Sequence, residues 1–519
     1  MKKIYIALFA AVLAASCQNS EWLDRLPYTQ TCPENFYKNE THFKLATIAA
    51  YEALNTNTIG GSSVSGGTYY CGLPIIMNSP SDELFSYLDA GASVGQYTQM
   101  ITCAFTQSTT GLRRMWTAFF AGIDRCNSVI ENAKSFPENA AIQAYAVEAH
   151  FLRAFYYWYL AQIFGGVPIV EFHSDGMEPR SNLEAVYTYI MEDLDFAYAN
   201  LPAKKGQGAI GEGSVTKYTA AAYIARISNY LAACKRYGTG ADLVKEQPLN
   251  DFAWVDAESF SEKAYLACKD IIENSPYILT KEFTNLFRET TKADQHEECL
   301  FMAENYLSGT ENAFPSSGNF ALGPQSEGIA EYGQSSCVYA RYAMATPILF
   351  GMFSPKDPRR DWFCVGSATG TLNAGTIKEE IASDGIVYVL PYKRVTNRYN
   401  AGADSRVETP EQTYIPFLDQ TCVAPGKFRF PQVGQVTTHL EKQHALSFPL
   451  MRLAEVYLMY AEAIYFHTGD AEAAREQFKP VLVRACRGDE ARAEELFNAY
   501  RKDDFVDELL ESRERELCY

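Results

Sequence analysis

Between Ala141 and Phe164 the residues Tyr145, Ala149, Leu152, Tyr156, Tyr159 and Ile163 step by 4, 3, 4, 3 and 4, so a helix here carries one unbroken apolar stripe. That stripe has to be buried against other elements, which commits the chain to a fold built on packed helices. Gly165-Gly166 supplies a C-terminal stop, and Pro168 prevents the helix from resuming. Similar spacing predicts a second helix from about Ser181 to Leu201, a third from Thr216 to Lys235 and a fourth from Ser259 to Asn274. The third is rich in small residues at Ala220-Ala221-Ala222, so a neighbouring element can approach it closely. Near the C-terminus, Leu450 to His467 and Ala471 to Arg487 read as two helices joined by Thr468-Gly469-Asp470, a turn short enough to force an antiparallel hairpin. Recurring helix pairs of this kind point to a mostly α fold, a tetratricopeptide-like scaffold of helical hairpins.

The scaffold is interrupted by a different composition. From about Asn305 to Ala343, and again from Val365 to Thr438, the chain is rich in Gly, Ser, Thr, Pro and Tyr, with Ile386 to Leu390 as a short strand. Gly60 to Gly67 is similar and leads into Thr68-Tyr69-Tyr70. Long irregular insertions are uncommon in a compact domain unless they bind something. The expected organisation is a leader at 1–16, an N-terminal tether at 17–38, a helical region at 39–304, a loop-rich ligand-face insertion at 305–438 and a C-terminal helical hairpin region at 439–519.

The leader is a charged start, Met1-Lys2-Lys3, an apolar run from Ile4 to Ala15, and Ser16-Cys17, the pattern of a signal peptide. About a dozen apolar residues fall short of the roughly 20 that span a bilayer as a helix. Leu13-Ala14-Ala15-Ser16-Cys17 is similar to a bacterial lipobox, in which Cys17 carries the acyl chains, and several chains on one residue anchor a soluble domain firmly. The other 12 of the 13 cysteines are dispersed and form no C-x-x-C, which excludes a short zinc knuckle. Cys126, Cys234 and Cys268 fall within helical patterns and read as small buried hydrophobes, and disulfides elsewhere stay open. A net charge of -18 without a long acidic block disfavours nucleic acid and anionic headgroups as partners.

No catalytic constellation stands out. Gly206-Gln207-Gly208-Ala209-Ile210-Gly211 spells the dinucleotide fingerprint, but a helix ending at Leu201-Pro202 precedes it where a strand is needed, so an interhelical loop is expected. Gly426-Lys427 is followed by Phe428 and makes no Walker A loop. His439 and His444, five apart, suit a surface better than a shared metal, and Asp82-Glu83 and Glu297-Glu298 read as surface-solvating pairs. Aromatic residues, at 13% with 34 tyrosines, are more informative. Tyr69, Tyr70, Tyr97, Tyr332 and Tyr339 lie in loop-like segments with Asn78, Asp82 and Arg341. A sugar ring offers C–H groups that stack on an aromatic plane and hydroxyls that need such polar partners.

Several segments in order along the chain resemble the SusD/RagB family of nutrient-binding outer-membrane lipoproteins. They are Glu21-Trp22-Leu23-Asp24 and Glu34-Asn35-Phe36-Tyr37; Trp116 with Phe120, Ile123 and Asn127; and Glu148-Ala149-His150-Phe151-Leu152-Arg153-Ala154 running into Phe164-Gly165-Gly166-Val167-Pro168. Thr216-Lys217 with Ala221, Ala225 and Arg226, then Asp357-Pro358-Arg359-Arg360, then Arg452 to Leu458 with Ala461-Glu462-Ala463, complete the series. Arg513-Glu514-Arg515-Glu516-Leu517-Cys518-Tyr519 looks like part of the family's late Arg/Glu-rich helix, so the resemblance implies an incomplete C-terminal segment.

The resemblance implies a non-enzymatic lipoprotein without a cofactor or metal, facing outward from the outer membrane. It would capture an oligosaccharide and deliver it to a SusC-type TonB-dependent transporter. The expected ligand-binding residues are Tyr97, Tyr332, Tyr339, Tyr69, Tyr70, Asn78, Asp82 and Arg341, with Cys17 lipidated. The alternatives are a surface glycoside hydrolase and a helical-repeat scaffold for a peptide or protein.

Overall fold

The computed structural model describes residues 36–54, 103–238, 248–287, 292–304, 347–366 and 447–518, apart from positions 173, 175 and 212, together with short pieces between 58 and 100 and between 344 and 427. Its first helices are α1 (Glu40–Glu52), α2 (Thr110–Ala133), α3 (Ala140–Phe164), α4 (Leu183–Asn200), α5 (Lys217–Tyr237) and α6 (Ala257–Asn274). Their starts are fixed by side chains that satisfy otherwise orphaned N–H groups. Asn139 accepts from Ile142 at 3.1 Å and Asn182 from Ala185 at 3.0 Å, while Thr216 and Thr219 form a reciprocal capping box. Each such cap contributes about 1 kcal/mol.

Consecutive helices from α2 to α6 pack on one another in turn, the stacking expected of helical hairpins. Two short helices follow, α7 (Lys292–Glu298) and α8 (Pro347–Gly351), then α9 (Pro358–Phe363). The C-terminal group is α10 (Leu453–Thr468), α11 (Ala471–Glu476), α12 (Phe478–Ala485), α13 (Glu490–Tyr500) and α14 (Phe505–Leu517). Helix α10 packs on α6, returning the end of the chain to the middle of the scaffold.

At the centre lies α3. The stripe foreseen in the sequence is buried, with Ala149, Leu152 and Tyr156 all at 0% exposure, but Phe151, Ala154, Tyr157 and Leu160 on other faces are equally inaccessible. A helix apolar nearly all round is a core helix, and α3 is enclosed by α1, α2 and α4. Its exit shows why two glycines stand there. Gly165, at φ +70°, occupies backbone space that a side chain would strain. A Cβ on Gly166 would lie 2.2 Å from the Ser181 carbonyl. The Gly166 N–H instead donates to Asn250 Oδ1 at 2.8 Å, and its carbonyl accepts from Arg180 Nε at 2.5 Å.

The Gly206–Gly211 segment is the interhelical loop expected, between α4 and α5. It wraps the Glu148 carboxylate of α3, which accepts from the Ala209 N–H at 2.5 Å and the Tyr51 hydroxyl at 2.9 Å. A Cβ on Gly208 would meet Ser214 and Glu148. The glycine pattern therefore serves a buried carboxylate of this chain. Burial pushes the Glu148 carboxyl up, opposed by these donors.

Three expectations need correction. Residues 450–452 are not helical: β12 (Phe448–Arg452) pairs antiparallel with β4 (Cys299–Ala303), and α10 starts at Leu453. Both strands are short and lie against the core, where α5 anchors them: Thr219 Oγ1 donates to the Leu300 carbonyl at 2.8 Å and Arg226 to the Leu450 carbonyl at 3.0 Å. Periodicity cannot separate such buried runs from helix. The second helix of the C-terminal hairpin is two, α11 and α12, broken at Gln477 because Pro480 has no N–H for the turn before it. Glu298 is not a surface carboxylate; it is 0% exposed and accepts from the Thr280 N–H and hydroxyl, each at 3.0 Å.

Cys126, Cys234 and Cys268 are buried, as are Cys299, Cys486 and Cys518. Burial raises the Cys299 thiol to about 12 and Cys486 to about 11, from 9.0, and raises Cys126 and Cys268 further. A group whose pKa is raised by folding stabilises the fold fully below its unfolded value, and that contribution is lost as pH rises towards the folded value. Ionisation of each thiol above about 9 therefore costs stability. Thermal unfolding should collapse between pH 9 and 11; a melting temperature unchanged at pH 11 would mean these thiols are not buried.

Candidate ligand face and its anchor

A four-stranded sheet joins remote parts of the chain in the order β3 (Leu84–Phe85), β5 (Met344–Ala345), β11 (Val423–Pro425), β6 (Cys364–Gly366). Leu84 pairs with Ala345 and Phe85 with Met344, both antiparallel, while Val423 pairs with Ala345 on one side and Gly366 on the other. The expected ligand residues Tyr69, Tyr70, Asn78, Asp82, Tyr97, Tyr332, Tyr339 and Arg341 lie outside the described residues, as does Cys17. Two of them stand close in sequence to its strands. Asp82 stands two residues before β3 and Arg341 three before β5.

Beside this sheet in sequence, and buried among the helices, is an ionic node around Glu516, near the end of α14. Arg452 Nη1 and Arg484 Nη2 each reach Glu516 Oε1 at 2.5 Å, and Arg359 Nη1 reaches Oε2 at 2.9 Å. Arg359 is also held in a fork by Asp357, at 3.0 and 2.7 Å, and the Tyr500 hydroxyl donates to Asp357 at 2.8 Å. Glu298 completes the group, 3.4 Å from Arg452 and 3.5 Å from Arg484. Burial alone would raise the Glu516 carboxyl, but Arg484, Arg452 and Arg359 outweigh it and hold it well below the usual carboxylate range. Asp357 is lowered by Arg359 against the same effect of burial.

Two members of the node belong to the chain around the sheet. Arg359 lies on α9, five residues before β6; Lys427 lies two residues after β11 and donates to the backbone carbonyls of Cys518 at 2.6 Å and Glu516 at 3.2 Å. Arg359 and Glu516 stand within the family-like segments of the sequence, whereas Lys427 stands in Gly426-Lys427-Phe428, which makes no phosphate loop. The usable signal was charged residues at sites where an otherwise apolar pattern runs into the core.

A second polar cluster ties α2, α3 and α4. Arg153 forks Asp193 at 2.8 Å through both Nε and Nη2, donates to Asn127 at 2.8 Å, and lies over the Tyr189 ring; His150 Nδ1 is 2.5 Å from Asp193. This explains the polar positions of the family-like α3 segment as helix-to-helix ties.

Two family models match the chain: one described as the SusD family over residues 277–519, the other as starch-binding associating with outer membrane over residues 22–231. Between them they leave out only residues 1–21 and 232–276. The chain belongs to the SusD/RagB family. SusD-like protein P2 of Formosa agariphila is 26% identical over 234 residues, 44% of this chain and 43% of that protein. The chain thus spans about two-fifths of the length of the curated relatives it matches first. A crystal structure of a SusD homolog from Bacteroides thetaiotaomicron shares the fold with a TM-score of 0.67 at 18% identity, covering 94% of this chain and 86% of that one. A crystal structure solved with xylogluco-oligosaccharide aligns with a TM-score of 0.59 at 19% identity over 91% of this chain and 80% of its own. The helical-hairpin scaffold is therefore that of SusD.

Proposed function

We propose that this SusD-family chain is a lipid-anchored protein on the outer face of the outer membrane that captures a neutral oligosaccharide and passes it to a SusC-type TonB-dependent transporter. The observation that supports this reading is the β3–β5–β11–β6 pairing, which brings together short strands that neighbour, in sequence, the two stretches where the expected ligand residues stand. A relative of the same fold solved with xylogluco-oligosaccharide supports the ligand class. Stacking on Tyr97, Tyr332, Tyr339, Tyr69 and Tyr70, with hydrogen bonds from Asn78, Asp82 and Arg341, needs no covalent chemistry and no cofactor.

A glycan array probed with the purified chain, with a peptide array beside it and a reducing-sugar assay on every glycan bound, separates the three functional classes. Binding to a neutral glycan without sugar release is the expected result. Release of reducing ends would make the chain a hydrolase, and binding to peptides alone would make it a peptide scaffold.

The anchor has its own test. Cys17→Ala removes the acylated residue and should move the folded protein from the outer-membrane fraction to the soluble periplasm. Retention in the membrane fraction without a bound partner would contradict lipidation at Cys17.

A further inference from the structure

We infer that Lys427 is a positioning residue for the ligand face, a bolt that fixes the β3–β5–β11–β6 sheet to the last turn of α14. This rests on the glycan-binding reading for the consequence to affinity, and on geometry alone for the consequence to the sheet.

Lys427 is 3% exposed, follows β11 by two residues, and donates to two successive turn-end carbonyls, those of Glu516 and Cys518. Its ammonium also sits 5.1 Å from the centre of the Phe287 ring. Strand β11 is one of the two inner strands of the sheet, paired with β5 on one side and β6 on the other, so a hold on β11 acts on both of those neighbours. On the other flank Arg359 makes the same connection through the Glu516 carboxylate, and Arg452 Nη2 donates to the Glu516 carbonyl at 2.6 Å. Three stretches distant in sequence thus converge on one residue of α14.

The contact around Lys427 is not filled by apolar packing. A cavity of about 100 Å³ lies there, lined by Phe287, Lys427, Phe448, Arg452 and Leu517 among others. Burial lowers the ammonium to about 8, with Arg452 and Arg484 pushing the same way and Cys518 and Glu516 opposing them, so the charge is kept there at a cost in solvation. A lysine that served global stability alone would be better replaced by a hydrophobe of the same length.

Methionine is such a replacement. Lys427→Met should leave the melting temperature of the helical scaffold within a few degrees of the parent. It should also strip hydrogen-exchange protection from 344–345, 364–366 and 423–425, while 140–164 and 217–237 stay protected. Lys427→Arg, which restores a donor, should recover that protection. If the parent binds xylogluco-oligosaccharide or malto-oligosaccharide in calorimetry, the methionine variant should bind at least tenfold more weakly and the arginine variant should regain affinity. Unchanged exchange in the three strands would overturn the inference, and so would a Lys427→Met chain that no longer folds, since the residue would then hold the whole protein. Loss of protection with unchanged sugar affinity would overturn the positioning role. A parent that binds neither sugar counts against the ligand class, and the exchange experiment then decides the anchor by itself.

Discussion

Replacing Glu516 with alanine should destabilise the protein by about 3–5 kcal/mol, the cost of removing one partner from a buried ion pair. The residue is 0% exposed, and its carboxylate is the common acceptor of Arg359, Arg452 and Arg484, which are themselves almost wholly buried. Without it three guanidinium groups share, among the described residues, Asp357 and Glu298 as carboxylate partners in a low-dielectric site. Glu516→Gln should cost nearly as much, because one oxygen becomes an NH2 group facing an arginine donor. Leu510→Ala on the same helix, at 52% exposure, should stay within about 0.5 kcal/mol and serves as the control. Urea denaturation measures both. A Glu516→Ala midpoint within error of the parent would show that the node is not a stabilising centre. Acid should act in the same direction. Folding lowers the pKa of Glu516 and Asp357, so their stabilisation is present above the unfolded carboxylate values and is lost as pH falls below them.

Leu152→Asp should abolish folding outright. Leu152 is at 0% exposure in the middle of α3, in the same cluster as Phe119, Phe155 and Tyr223. An aspartate there would be ionised with no partner or would have to take up a proton, and either outcome costs several kcal/mol on top of the lost apolar burial. Typical domains have about 5–15 kcal/mol to lose. Near-ultraviolet circular dichroism should show no fixed tertiary signal. A variant that melts like the parent would mean that α3 is not the core helix described.

The helical scaffold was legible because its signals are local. The α3 stripe and the Gly165-Gly166 stop each follow from a few neighbouring residues. What escaped the sequence depends on distance. β4 and β12 are recognisable only through each other, across roughly 150 residues, and Glu298 looked like a solvated neighbour of Glu297 until Arg452 and Arg484 were brought beside it. Pro480 was visible, but it sits within an otherwise helical run, where it can mark a break or a first turn. At the ligand face the tyrosines could be proposed from composition. The pairing of β3 with β5, which unites their two stretches, carries no local signature because each strand is only two residues long. Lys427 was illegible for a related reason: its acceptors are backbone carbonyls, which any sequence would supply.

The most direct test of the central claim is calorimetric titration of the protein with neutral oligosaccharides, xylogluco- and malto-oligosaccharide first, alongside the Tyr332→Ala/Tyr339→Ala double variant. Each ring should contribute about 0.5–1.5 kcal/mol of stacking, so a single substitution weakens binding up to about tenfold and the pair by up to about a hundredfold. The account predicts a parent that binds at least one of these glycans and a double variant that binds it weakly or not at all, with the same melting temperature. Equal affinity in the two, at an unchanged melting temperature, would contradict the assignment of the ligand face to this part of the chain.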